Sequence, residues 1–177
     1  MAIDSNTSLV IMGVAGCGKS SLGAALAQRL NFELIEGDDH HSDVNRQKMQ
    51  QGMPLTDVDR AGWLATLGTL LARRPGGHVL TCSALRRAYR DQLRAASPGL
   101  RFVFLDITPE LARQRVAARS SHFFNSALVD SQFSTLESPD GEPGVLRVDA
   151  AEPLQKLLDQ VTAWTSVTCP PQSQEAA

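Results

Sequence analysis

The feature that most constrains this chain is an apolar run that breaks into glycines and then opens a helix: Leu9-Val10-Ile11-Met12-Gly13-Val14-Ala15-Gly16-Cys17-Gly18-Lys19-Ser20-Ser21. Gly13, Gly18, Lys19 and Ser20 satisfy the spacing G-x-x-x-x-G-K-[ST], with a strand-like run before it and a helical pattern after it. Gly13, Gly16 and Gly18 let the backbone turn with positive φ, so that successive N–H groups from Gly13 to Ser21, those of Val14, Ala15 and Cys17 included, line an anion cradle at a helix N-terminus. A cradle of this kind holds nucleotide phosphates. Lys19 would then bridge the β- and γ-phosphates of ATP, and the Ser20 hydroxyl would ligate Mg²⁺.

The rest of the chain supplies the surroundings such a loop needs. Val10 to Met12 is wholly apolar, as a central strand of a parallel sheet must be. Leu22, Ala25, Leu26 and Leu30 recur at helical spacing, and Asn31 ends that helix. A second strand, Phe32 to Ile35, runs into Glu36-Gly37-Asp38-Asp39-His40-His41. This places polar groups at a strand's carboxyl end, the edge at which open α/β sheets bind ligands. One carboxylate there can take a proton from a substrate hydroxyl, and another can hold magnesium-bound water; the alternative is a solvated acidic turn. His40 and His41 have no third ligand spaced to close a metal site.

A polar helix from Asp43 to Gln51 offers Arg46 and Lys48, and Gly52-Met53-Pro54 terminates it. Thr56 caps a helix whose apolar face is Trp63, Leu64, Leu67, Leu70 and Leu71. His78 to Cys82 forms a third strand, ending at Ser83-Ala84-Leu85, where small residues leave room for a ligand. Arg86, Arg87 and Arg90 on the next helix are placed to meet an anion, whereas Arg94 reads as solvated surface. Phe102 to Leu105 is the fourth strand, and Thr108-Pro109 starts a helix running to about Arg119. Residues near 119–128 break the pattern as an arginine-tipped lid or a plain helical hairpin would, ahead of a helix through Val129, Gln132, Phe133 and Leu136. Val145 to Val148 is the fifth strand. Pro153 begins a last helix, and residues 168–177 read as a disordered tail. The alternation predicts one α/β domain over residues 1–167, a three-layer sandwich with a parallel sheet between two helical layers.

Composition narrows the partners. The chain has 177 residues, 42% hydrophobic and 20% charged, as a soluble globular domain has. Its net charge of −2 is uneven: residues 73–119 hold ten arginines against Asp91, Asp106 and Glu110, which makes the middle third a local attractor of anions. A pI near 6.1 and 5% aromatic content argue against nucleic acid and favour phosphorylated small molecules. Cys17, Cys82 and Cys169 are odd in number and lack C-x-x-C spacing, so neither a disulfide framework nor a zinc site is indicated, and a reducing cytoplasm fits. The N-terminus shows no leader pattern, and no apolar run approaches the ~20 residues that span a bilayer, so no membrane partner is expected.

With these stretches in hand, the chain resembles the gluconate kinases of the shikimate-kinase and nucleoside-monophosphate-kinase-like group, over roughly residues 8–165. The resemblance runs through Asn45, Lys48, Met49, Gly52, Pro54-Leu55, Asp57, Asp59-Arg60 and Trp63-Leu64. It continues in Cys82-Ser83-Ala84-Leu85-Arg86-Arg87, Tyr89-Arg90-Asp91, Arg119, His122-Phe123, Gln132-Phe133, Leu136-Glu137 and Pro139. It implies phosphorylation of D-gluconate at the 6-hydroxyl by ATP with Mg²⁺, a five-stranded parallel sheet of order 2-3-1-4-5, a mobile lid and a homodimer. It also implies roles: Lys19, Asp38 and Arg119 in catalysis, and Ser20, with Glu36 through water, at the magnesium. His41, Lys48, Arg60, Ser83, Ala84, Leu85, Arg87 and Arg90 fall on the substrate side, with His122 in the lid. Ser121 stands where the family has glycine, Ser42 where it has proline, and Glu36 where aspartate is commoner. Rival readings are a kinase for shikimate or another sugar acid, a nucleoside-monophosphate kinase, and a nucleotide-dependent switch; the last lacks an N-K-x-D motif.

Overall fold

The computed structural model describes residues 7–73, 77–118 and 126–166. In chain order the elements are β1 (Leu9–Met12), α1 (Lys19–Leu30), β2 (Glu33–Glu36), a one-turn 3-10 helix (Gly37–His40), α2 (Asp43–Gln50), α3 (Asp57–Arg73) and β3 (His78–Thr81). They continue with α4 (Arg87–Ala96), β4 (Arg101–Asp106), α5 (Pro109–Ala117), α6 (Ser126–Thr135), β5 (Val145–Asp149) and α7 (Leu154–Thr165). All strand pairs are parallel and the sheet order is β2-β3-β1-β4-β5. The expected α/β sandwich and strand order are therefore those observed. Arg119, His122 and the rest of residues 119–125 of the expected lid, together with the expected tail at 168–177, lie outside the described residues. Residues 126–128 of that lid already belong to α6.

Side-chain alternation along β1 builds both cores. Leu9 and Ile11 face a cluster containing Leu22 and Leu26 of α1, Ala112 and Val116 of α5, Val129 of α6, and Leu157 and Val161 of α7. Val10 and Met12 face the opposite cluster, with Trp63, Leu64, Leu67 and Leu71 of α3 and Tyr89 and Leu93 of α4. Period-two alternation in a strand covered on both faces requires apolar residues throughout, which is why β1 has no polar position.

The helix ends follow local chemistry. Asn31 takes a left-handed φ of 55° and returns its N–H to the last turn of α1. The Ser42 Oγ accepts the Asn45 N–H at 3.2 Å, so the residue that departs from the family pattern caps α2. At the start of α3 the Asp59 carboxylate accepts the Thr56 N–H at 2.9 Å while the Thr56 Oγ1 accepts the Asp59 N–H at 3.3 Å, a reciprocal capping box.

Arg90 departs from expectation. It was expected on the substrate side, yet its side chain has no exposure, and all five guanidinium N–H groups have acceptors inside the protein. Nη1 donates to the Ala84 and Leu85 carbonyls, Nη2 to the Glu137 carbonyl and the Glu142 carboxylate, and Nε to Glu142. No donor is left for a substrate anion. Arg94, expected as solvated surface, is 21% exposed, pairs with the same Glu142 at 2.8 Å and lies 4.7 Å over the Phe102 ring. Other arginines of the stretch find carboxylates: Arg86 pairs with Asp57 at 2.9 Å and Arg113 with Asp130 at 2.9 Å.

Burial opposes ionisation of Glu142, but hydrogen bonds and charge from Arg90 and Arg94 outweigh it and hold the carboxyl below its ordinary range. Breaking a buried pair strands its partner, so Arg90→Met is expected to cost about 3–5 kcal/mol of stability in a denaturant titration. Arg94→Met, at a partly exposed position, should cost distinctly less. Equal losses would contradict the assignment of Arg90 as the buried clasp.

Candidate active site

Loop residues 13–18 leave β1 at the carboxyl edge of the sheet and turn into α1. Gly16 has φ +82°, and a Cβ there would lie 2.7 Å from the Ala112 carbonyl oxygen, so side-chain-bearing residues are excluded both by conformation and by α5. The Lys19 ammonium folds over the loop, with Nζ donating to the Gly13 and Val14 carbonyls at 3.0 Å each. The Ser20 Oγ donates to Glu36 Oε2 at 3.1 Å, and the Thr81 Oγ1 donates to the same oxygen at 2.6 Å. A hydroxyl and a carboxylate so placed beside a phosphate cradle are the hard oxygen donors that suit Mg²⁺.

The acidic stretch after β2 is a tight 3-10 turn rather than an open one. A Cβ on Gly37 would stand 2.2 Å from the Thr81 carbonyl oxygen, so only glycine lets the turn pass this close to β3. Trp63 Nε1 then donates to the Gly37 carbonyl at 2.7 Å, and the His41 ring stacks on Trp63 at 4.2 Å. Asp38 stays 78% exposed, with Oδ1 3.9 Å from His41 Nε2.

A cleft of about 470 Å³ brings the halves together. On the loop side it is lined by Ala15, Gly16, Gly18, Lys19 and Ser20, and on the other by Asp38, His41, Arg60 and Ser83. Arg60 is aimed by the phenol of Tyr89, to which its Nη1 donates at 3.4 Å, while the Tyr89 hydroxyl in turn donates to Asp57. Of the loop residues named from sequence, Gly13, Val14 and Cys17 are buried beneath the cradle rather than at its surface, and Ser21 is exposed on α1.

Other residues named from sequence lie elsewhere. Lys48 is committed to Asp59 at 2.7 Å, and hydrogen bonds from Lys48 and Thr56 hold the Asp59 carboxyl down at about 2. Arg87 is exposed and turned toward Asp91 at 3.7 Å. Ala84 and Leu85 are buried, and their carbonyls are spent on Arg90. Ala84 has a left-handed φ of 44°, a strained conformation for alanine that the Arg90 clasp holds next to Ser83.

The structure adds Arg46, Met49, Met53, Trp63 and Gln132 to the cleft. Arg46 is anchored by the Asp39 and His41 carbonyls, at 2.5 and 3.0 Å, and its basic character on a polar helix was the only sign of it in the sequence. Among the described residues no group of three or more His, Cys, Asp or Glu could hold a metal by itself, and no helix is long and apolar enough to cross a membrane. Burial pushes the Cys82 thiol up to about 12, which removes it from nucleophilic chemistry.

A phosphate cradle facing a carboxylate and a cationic pocket across one cleft, at the carboxyl edge of a 2-3-1-4-5 parallel sheet, defines the class of P-loop small-molecule kinases. Comparison with known proteins agrees: residues 9–139 match a family model described as an AAA domain. The gluconokinase of Gluconobacter oxydans (strain 621H) is 41% identical over 156 residues, 86% of this chain and 88% of that one. The crystal structure of a gluconokinase from Sinorhizobium meliloti 1021 aligns at TM-score 0.84 and 44% identity, covering 92% and 93% of the two chains. A shikimate kinase from Aquifex aeolicus vf5 shares the fold at TM-score 0.64 and 15% identity over 88% of this chain and 94% of that one. The chain belongs to the gluconokinase family.

Burial lowers the His41 pKa from its ordinary 6.5, against the smaller opposing pull of Asp38. The unfolded chain therefore binds this proton more readily than the folded one, and stability from the neutral ring is lost as pH falls below about 6.5. Thermal melts from pH 8 to 5.5 should show that loss, and it should shrink in His41→Asn; identical slopes in the two proteins would remove His41 as its source.

Proposed function

We propose that the chain transfers the γ-phosphoryl group of ATP to the 6-hydroxyl of D-gluconate, giving 6-phospho-D-gluconate and ADP. Besides family membership, one observation carries this reading: the phosphate cradle and Lys19 share a single cleft with Asp38, His41, Arg60 and Ser83. In the proposed reaction O6 forms a bond to the γ-phosphorus as the bond to the bridging oxygen of ADP breaks, and the O6 proton passes to the Asp38 carboxylate. Little covalent chemistry falls to the protein, so positioning and charge neutralisation supply most of the rate. Lys19 releases the Gly13 and Val14 carbonyls to meet the phosphates, and the loop amides other than those of Gly13, Ala15 and Cys17, which bond Ser83, Gln132 and Val14, hold the remaining oxygens.

Ser20, with Glu36 through water, would hold Mg²⁺, which when bound neutralises charge on the β- and γ-oxygens. Arg60 offers its planar fork to the gluconate carboxylate, and neutral His41 and Ser83 serve the hydroxyls. Arg119 and His122 are assigned to closure over the phosphoryl group on sequence alone. Three cysteines, odd in number and without C-x-x-C spacing, favour a cytoplasmic enzyme, and the homodimer rests on the resemblance.

A coupled ADP-release assay tests the reading against gluconate, shikimate, other sugar acids, AMP, CMP and UMP. Gluconate is expected to lead in kcat/KM by about tenfold or more; parity with its neighbours would defeat the specificity claim. Asp38→Asn should lower kcat by about 10²- to 10⁴-fold with ATP affinity unchanged. Turnover near wild type would take Asp38 out of the mechanism.

A further inference from the structure

Gln132 and Ala15 are 117 positions apart in sequence, yet Gln132 Oε1 accepts the Ala15 N–H at 2.6 Å. Because the loop offers a backbone N–H, the atom facing it is the carboxamide oxygen, and the two N–H groups of Nε2 are not used by that bond. Gln132 lines the same cleft as Lys19, Ser20 and Asp38, and among the described residues Nε2 meets no acceptor. The side chain is carried on a firmly held helix. Asp130 of α6 pairs with Arg113 of α5 at 2.9 Å, and just beyond α6 the Glu137 N–H donates to the Leu85 carbonyl at 2.8 Å. The Glu137 carboxylate also takes the Arg87 N–H at 2.7 Å. Helix α6 therefore touches the donor loop through Gln132, and the segment just beyond it touches the end of β3 and the start of α4 through Glu137.

We propose that Gln132 recognises the γ-phosphoryl group of the bound triphosphate. Its Oε1 fixes the Ala15 end of the cradle, and its Nε2 donates to a γ-phosphoryl oxygen, so one carboxamide ties the loop amide to the group being transferred. Charge on the peripheral phosphoryl oxygens must be held by fixed donors during transfer, and a neutral amide on a rigid helix supplies one without reorganisation. ADP lacks the group that Nε2 meets, so Gln132 distinguishes the triphosphate from the diphosphate. This inference rests on the kinase reading but not on the identity of the acceptor.

The experiment compares wild type with Gln132→Glu, which keeps the acceptor for the Ala15 N–H but turns a carboxylate toward the phosphates. Gln132→Met, which keeps only the apolar stem, serves as the second variant. Affinities of the full chain for ADP and for a non-hydrolysable ATP analogue, each with Mg²⁺, are measured by calorimetry without acceptor, alongside melting temperature and kcat with gluconate. Gln132→Glu should weaken the triphosphate analogue by about tenfold or more while ADP changes by less than about twofold. Gln132→Met should move the same ratio in the same direction, and kcat should fall by about 10²-fold in both. Equal losses for the two nucleotides, or no loss for either, would overturn the proposal and leave Gln132 as a prop for the loop. Failure of gluconate turnover in the wild type would instead count against the acceptor, since the affinity ratio needs none.

Discussion

Where β2 leaves the sheet, Gly37 passes so close to β3 that a single added methyl group would collide with the Thr81 carbonyl at 2.2 Å. The rest of the site depends on that approach. The Gly37 N–H donates to the Thr81 hydroxyl at 3.3 Å, that hydroxyl donates to Glu36, and Glu36 accepts from Ser20 at the first turn of α1. On the other side the Gly37 carbonyl accepts from Trp63, whose ring carries His41. One glycine thus sets the separation between the loop after β1 and the acidic turn after β2, because hydrogen bonds from both sides converge on it within a few ångströms.

The second organising device is charge placed where water cannot reach it. Arg90 and Glu142 are 0% and 5% exposed, and their arrangement satisfies every donor of the guanidinium. Such a pair adds little net stability compared with an apolar substitute, but loss of either partner is severe. Its contribution here is geometric, since the same guanidinium grips the Ala84, Leu85 and Glu137 carbonyls and so binds the end of β3 to the segment after α6. Ser83 sits one residue before the strained Ala84, at the floor of the cleft.

These devices give the two halves of the cleft different mechanical character. The cradle is rooted in β1, whose four residues are fully buried, whereas the acceptor side rests on the short helix α2 and the first turn of α3. Asn45 and Lys48 of α2 both bond Asp59 of α3, so that side moves as a unit around the capping box if it moves at all. Family membership in the gluconokinases and the meeting of a loop rooted in β1 with a stapled α2–α3 pair across one cleft stand together.

The strand positions, the cradle and the Thr56 and Thr108 caps were legible because each is written in neighbouring residues, whereas the strand order came only from the family resemblance. Gly13 to Ser20 is a local conformational code, Thr56 and Asp59 lie three apart, and an unbroken apolar strand such as β1 can only lie between two helical layers. The fates of Arg90, Arg94, Lys48 and Gln132 were not legible, since a basic or amide residue on a helix looks the same whether it faces solvent, substrate or a distant carboxylate. Arg90 finds Glu142 at a separation of 52 residues and Gln132 finds Ala15 at 117. By itself the sequence determined a parallel α/β fold with a nucleotide cradle and an acidic turn at the carboxyl end of β2, because backbone conformation and hydrophobic period are local properties. Which cations remain for a substrate was decided only by tertiary structure, because neutralisation depends on which carboxylates the fold brings within about 3 Å.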